Sequence, residues 1–115
     1  ANVGLYGLSV VGSSRKLQRR ALVIAIEPDA VTRSRLLENI AFSHATGDFV
    51  VEGCAVGAKA GRGLLVAHAN NRGEHRIEPD SGQSGDIAVL PLLDIANKHS
   101  VTAIDAMKVD VEGLD

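Results

Sequence analysis

Three short stretches hold residues whose types and spacing could do chemistry. In the last of them Lys108, Asp110 and Glu112 alternate with Met107, Val109 and Val111. In an extended strand the three charged side chains fall on one face. A central strand of a parallel sheet is apolar on both faces, and each unpaired buried ion costs several kcal/mol. The strand is therefore expected to end near Val109. Asp110 and Glu112 would then emerge into a polar cleft, with Lys108 paired to one of them. The alternative is an exposed edge strand carrying a salt bridge.

Glu27 closes the apolar run ALVIAIE (21–27) and is followed by Pro28, which cannot continue a ladder. A carboxylate at the end of the second strand of an α/β nucleotide fold can accept hydrogen bonds from both hydroxyls of a ribose. Glu27 follows Gly4 at close to the ~20 residues expected between a glycine turn and its ribose acid. The other reading is a solvated acid at a strand end. Gly4 itself allows either of two roles. A strand-to-helix turn without a Cβ lets the backbone approach a ligand, with free N–H groups at the helix start beyond it; equally, a glycine there permits tight packing.

The remaining candidates carry less. His44, His68, His75 and His99 show no metal-ligand spacing with carboxylates or with Cys54, so no metal is expected. Cys54, the single cysteine, reads as a small buried apolar residue. Ser13-Ser14 lacks the context of a nucleophile elbow, and no phosphate-loop motif is present.

These residues need elements to position them. Residues 1–14 read as a helix with Gly4 near its start, and ALVIAIE as a buried strand. A helix capped by Asp29 or Thr32 runs to about Phe42, with Leu36, Leu37, Ile40 and Ala41 as its apolar stripe. HATGD is a turn, and DFVVEGCAV (48–56) is a strand interrupted by Gly53. A Gly-, Asn- and Ser-rich excursion follows, with a short strand at Leu64–Ala67 and a hairpin. Then come a short strand at 87–92, a helix at 92–100 and a third strong strand at 104–113. Strand and helix alternate, which predicts an α/β fold with a doubly wound parallel sheet.

The bulk numbers agree. The 115 residues suffice for one domain. A 45% hydrophobic content with only 3% aromatics implies an aliphatic core. With a net charge of −2 and only the Arg15-Lys16, Arg19-Arg20 cluster, read as a solvated loop, a nucleic-acid partner is not expected. No apolar run approaches the ~20 residues of a membrane span. One cysteine fits a reducing, cytoplasmic setting.

Several segments, in order, resemble a known family. ANVGLYGL, AIEPDAVTRSRLLENI, GCAVGAKAG, PLLDIA and MKVDVEG are similar to the motifs of FkbM-type methyltransferases, and the resemblance covers nearly the whole chain. It implies a Rossmann-like class I methyltransferase domain over residues 1–115, using S-adenosylmethionine, incomplete at both ends. The first strand would lie upstream of Ala1 and further strands beyond Asp115. By this resemblance Asn2, Gly4, Glu27, Pro28, Ala55, Val56 and Asp110 bind the cofactor: Gly4 near its methionine part, Glu27 at the ribose, Ala55 and Val56 beside the adenine. Asp110 and Glu112 stand near the amino-acid end and the acceptor, where either could act as catalytic base. The implied acceptor is a hydroxyl on a small molecule or glycan. The family ends its last motif E-G-x-E; here Asp115 holds the final acid. A nicotinamide-dependent oxidoreductase would also use Glu27, but it requires G-x-G-x-x-G after the first strand, and ANVGLYGLSVVG lacks that spacing. A non-catalytic cofactor-binding module is the third reading.

Overall fold

A computed structural model of the chain describes residues 1–67, 75–79 and 85–110. It divides into two compact units, Ala1–Gly53 and Cys54–Asp115.

The first unit opens with helix α1 (Leu5–Lys16), which starts at Gly4 in the left-handed region. Arg15 and Lys16 occupy its last turn, where positive charge suits the helix dipole. Arg15 does more than face solvent: its Nη2 donates to the His44 carbonyl at 2.8 Å and to Asp48 Oδ2 at 2.6 Å. Strand β1 (Val23–Ile26) follows, then helix α2 (Ala30–Phe42). Asp29 caps α2 by accepting from the Thr32 amide at 2.9 Å, as the sequence suggests. A single 3-10 turn at Thr46–Asp48 leads into strand β2 (Phe49–Glu52). The two strands pair in parallel, from Val23 with Phe49 to Ile26 with Glu52.

Val11, Ala25, Leu36, Ile40 and Ala45 form the core of this unit, with Leu8, Val23, Phe49 and Val51 packed against them. The apolar stripe of α2 is narrower than expected. Leu36 and Ile40 are buried, whereas Leu37 and Ala41 are exposed. A two-stranded surface admits one row of side chains at i, i+4 spacing, and the flanking positions overhang it.

The second unit contains strands β3 (Ala55–Val56), β4 (Gly61–Ala67), β5 (His75–Pro79) and β6 (Ile87–Leu90), then helix α3 (Leu92–Lys98). The sheet order is β3-β6-β4-β5. β3 and β6 are parallel, while β4 runs antiparallel to both β5 and β6. Ala55, Ile87 and Val89 form its buried cluster, with Leu65 and Ile77 against them.

Two expectations are corrected here. The described strands do not form one doubly wound parallel sheet: there is a parallel pair and a mixed four-stranded sheet. The Gly-rich excursion contains the antiparallel pair β4–β5, and strands joined directly as a hairpin pair antiparallel. The strong strand expected at 104–113 is also absent over its described part. Residues 104–110 are in no strand, and Ile104, Met107 and Val109 are exposed. Alternating apolar and charged residues suit a strand, but a strand needs a ladder partner for its N–H and C=O groups, and none of the described strands pairs with this segment. Residues 111–113 lie outside the described residues. The rest of the element order holds, with the strand at 48–56 divided at Gly53 and Cys54 into β2 and β3. Among the described residues no helix is long and apolar enough to cross a membrane.

Candidate functional site

The C-terminal end of β1 gathers the first group of candidates. The Glu27 amide donates to the Glu52 carbonyl at 3.0 Å, which extends the β1–β2 alignment by one residue before Pro28 stops it. This holds the Glu27 side chain at the strand end, where it is only 9% exposed. Its carboxylate sits among amide donors. Oε2 accepts from the Asn2 N–H at 2.6 Å and from the Ala1 nitrogen at 3.1 Å. Oε1 accepts from the Asp29 N–H at 3.1 Å. A carboxylate presents about four acceptor positions. The Asn2 and Asp29 amides thus each bond one carboxylate oxygen, which leaves acceptor capacity on Oε1.

Asn2 has a left-handed backbone, φ 51°, and its Oδ1 accepts from the Val3 amide at 2.8 Å. Asparagine tolerates that conformation through such local bonds. Gly4 is buried with φ 92°, and its carbonyl accepts the Leu8 amide at 2.9 Å. A Cβ built there would lie 2.5 Å from Leu36 Cδ1. The space that glycine leaves is filled by Leu36, so the packing role is met. Asn2, Gly4, Glu27 and Pro28 are thus brought together by the start of α1 and the end of β1.

Arg33 was missed in the sequence. Its Nη1 donates to the Glu27 carbonyl at 3.0 Å and to the Pro28 carbonyl at 3.1 Å. The guanidinium lies over Gly53, where a Cβ would stand 2.9 Å from Arg33 Cζ. A signal existed. The first turn of α2 carries no acid, and a cation just beyond it runs against the helix dipole, so it asks for a local acceptor. Glu52, also 9% exposed, is a second buried acid.

The other candidates belong to the second unit. Ala55 is buried in β3 opposite Val89, and Val56 pairs with Leu90. Cys54 is buried, as expected of a small apolar residue. Asp110 is exposed and accepts from Lys108 Nζ at 2.6 Å, so the expected pairing of Lys108 with one of the acids is present. That hydrogen bond, reinforced by the charge of the ammonium, holds the Asp110 carboxyl below its ordinary value. Glu112 lies outside the described residues. Among the described residues no group of His, Cys, Asp and Glu could hold a metal ion.

A buried acid at the end of a parallel strand, facing a glycine turn at a helix start, is an arrangement shared by nucleotide-binding α/β proteins. The family model described as the methyltransferase FkbM domain matches residues 1–115. The chain therefore belongs to the FkbM methyltransferase family, as its ordered motifs suggest. No curated protein and no solved structure matches it.

Proposed function

We propose that residues 1–115 form the cofactor-binding part of an S-adenosylmethionine-dependent methyltransferase that methylates a hydroxyl on a small-molecule or glycan acceptor. The observation that carries this reading is the Glu27 carboxylate, buried at the end of β1 and oriented by the Asn2 and Asp29 amides. A ribose diol offers two O–H donors, and the acceptor capacity left on Oε1 fits one of them directly. Family membership favours a methyl donor over a nicotinamide at this position.

The bound cofactor would supply an electrophilic methyl group on a sulfonium. The protein's part is to bind and orient, because alignment provides most of the acceleration in a direct transfer. Glu27 fixes the ribose, and the turn at Asn2–Gly4 shapes the approach to it. Ala55 and Val56 are assigned to the adenine side by the family motif. A hydroxyl acceptor also needs its proton removed. Asp110 or Glu112, the acids of the last family motif, is the candidate base.

Calorimetric titration of S-adenosylhomocysteine into the full-length protein tests the reading, with Glu27→Gln as the comparison and circular dichroism as the check on folding. Glutamine keeps an acceptor oxygen but loses the charge. The expected result is binding by the wild type that the substitution weakens at least about tenfold, ~1.4 kcal/mol. Binding of NAD instead, or equal affinity in the two proteins, overturns it.

A further inference from the structure

Arg33 touches no group assigned to the reaction, yet it grips the backbone that presents Glu27. Its Nη1 donates to two carbonyls of the strand-end turn, that of Glu27 and that of Pro28. These carbonyls belong to residues just before the Asp29 amide, which is the donor to Glu27 Oε1. The guanidinium also rests on Gly53, the residue directly after β2, where a Cβ would make it shift. Arg33 thus spans the ends of both parallel strands of the first unit. Beyond Ile26 the Glu27 amide still bonds the Glu52 carbonyl; Pro28 has no N–H to add. The carbonyls of Glu27 and Pro28 need donors from elsewhere, and one planar guanidinium supplies both.

We infer that Arg33 is a positioning residue for cofactor binding: seated on Gly53, it locks the Glu27–Asp29 turn so that the Glu27 carboxylate meets the ribose in one orientation. The inference rests on the ribose role proposed for Glu27, and it makes a demand on Gly53 as well. Any side chain at Gly53 displaces the guanidinium, so Gly53→Ala acts through the same contact as an Arg33 substitution. Lysine at position 33 restores one donor on a flexible stem but cannot hold both carbonyls in a fixed fork.

The test uses the full-length protein and two readouts. The first is amide hydrogen exchange at Asp29 and Asn2, whose N–H groups bind the Glu27 carboxylate. The second is the Kd for S-adenosylhomocysteine measured well below the unfolding midpoint. Arg33→Ala is expected to speed exchange at Asp29 about tenfold or more while the interior of α2 stays protected. It is expected to raise the Kd by a similar factor, with Arg33→Lys intermediate. Gly53→Ala reproduces part of both effects and is not additive with Arg33→Ala.

Unchanged exchange at Asp29 in Arg33→Ala overturns the inference. So does faster exchange throughout the first unit, which marks a merely structural residue, and so does an unchanged Kd in a protein whose wild type binds. If the wild type binds no S-adenosylhomocysteine, the ribose reading fails and the cofactor role of Arg33 falls with it. The exchange data would still report whether Arg33 locks the turn, so the two failures are told apart.

Discussion

Gly4→Ala separates a glycine kept for a ligand from one kept for packing. Two costs follow from the structure. At φ 92° an alanine occupies the left-handed region, which costs an L-residue ~1–2 kcal/mol. Its Cβ would also stand 2.5 Å from Leu36 Cδ1. Leu36 is wholly buried, so its side chain must shift within the core to admit the Cβ; such overpacking costs ~1–3 kcal/mol. The sum is a loss of about 2–5 kcal/mol. Urea unfolding of the full-length protein, followed by circular dichroism and compared at equal slope, reads it out. A double-mutant cycle with Leu36→Ala isolates the contact. Leu36→Ala alone costs ~2–5 kcal/mol through its cavity. In the Gly4→Ala background the new Cβ occupies part of that cavity, so the double substitution should cost less than the two singles together by at least ~1 kcal/mol. Strict additivity, or a Gly4→Ala protein within ~0.5 kcal/mol of wild type, would refute the reasoning. Weakened S-adenosylhomocysteine binding without lost stability would move the requirement from Leu36 to the ligand.

Asp29→Ala removes the α2 cap and should lower stability by about 1 kcal/mol, while Asp29→Asn or Asp29→Ser retains most of it; thermal unfolding of the three variants checks this. The Asp110 carboxyl should titrate below its ordinary value of 3.8, and Lys108→Gln should bring it back, as followed by NMR of the side-chain carboxyl carbon. The sign is fixed by that direction: the pairing favours the folded protein above the ordinary carboxylate value and fades as the pH falls through the lowered one. Because both side chains are exposed, added salt should weaken the shift.

What the sequence made legible is what local rules decide. Pro28 ends β1 because it has no N–H, and Asp29 caps α2 because its carboxylate reaches the Thr32 amide. Glu27 stands out because a charge closing an apolar run needs donors, and the structure supplies the Asn2 and Asp29 amides. What stayed hidden depends on partners distant in sequence. Nothing near Gly4 announces that Leu36 fills its Cβ position, and nothing near Arg33 announces Gly53. The pattern at 104–110 is a good strand pattern, yet period alone does not supply a neighbouring strand. The hairpin is legible in the Gly-, Asn- and Ser-rich excursion, but alternation of strands and helices does not show that its strand β4 pairs antiparallel with β6 in the same sheet.

The place of β6 in the second unit has a consequence for how the chain reaches its folded form. β6 is the last strand of that sheet to be synthesised, and it lies between β3 and β4. Until Ile87–Leu90 arrives, β3 has no ladder partner among the described strands, and β4 can pair only with β5. The hairpin closes early because its contacts are local, whereas joining β3 to β6 requires a long loop to close. A nascent chain halted before Ile87 would leave one edge of β4 and all of β3 open to other chains. Assembly of this unit thus waits on a single late segment, and mutations in Ile87–Leu90 should speed unfolding, whereas equally destabilising ones in β4 or β5 should slow folding more.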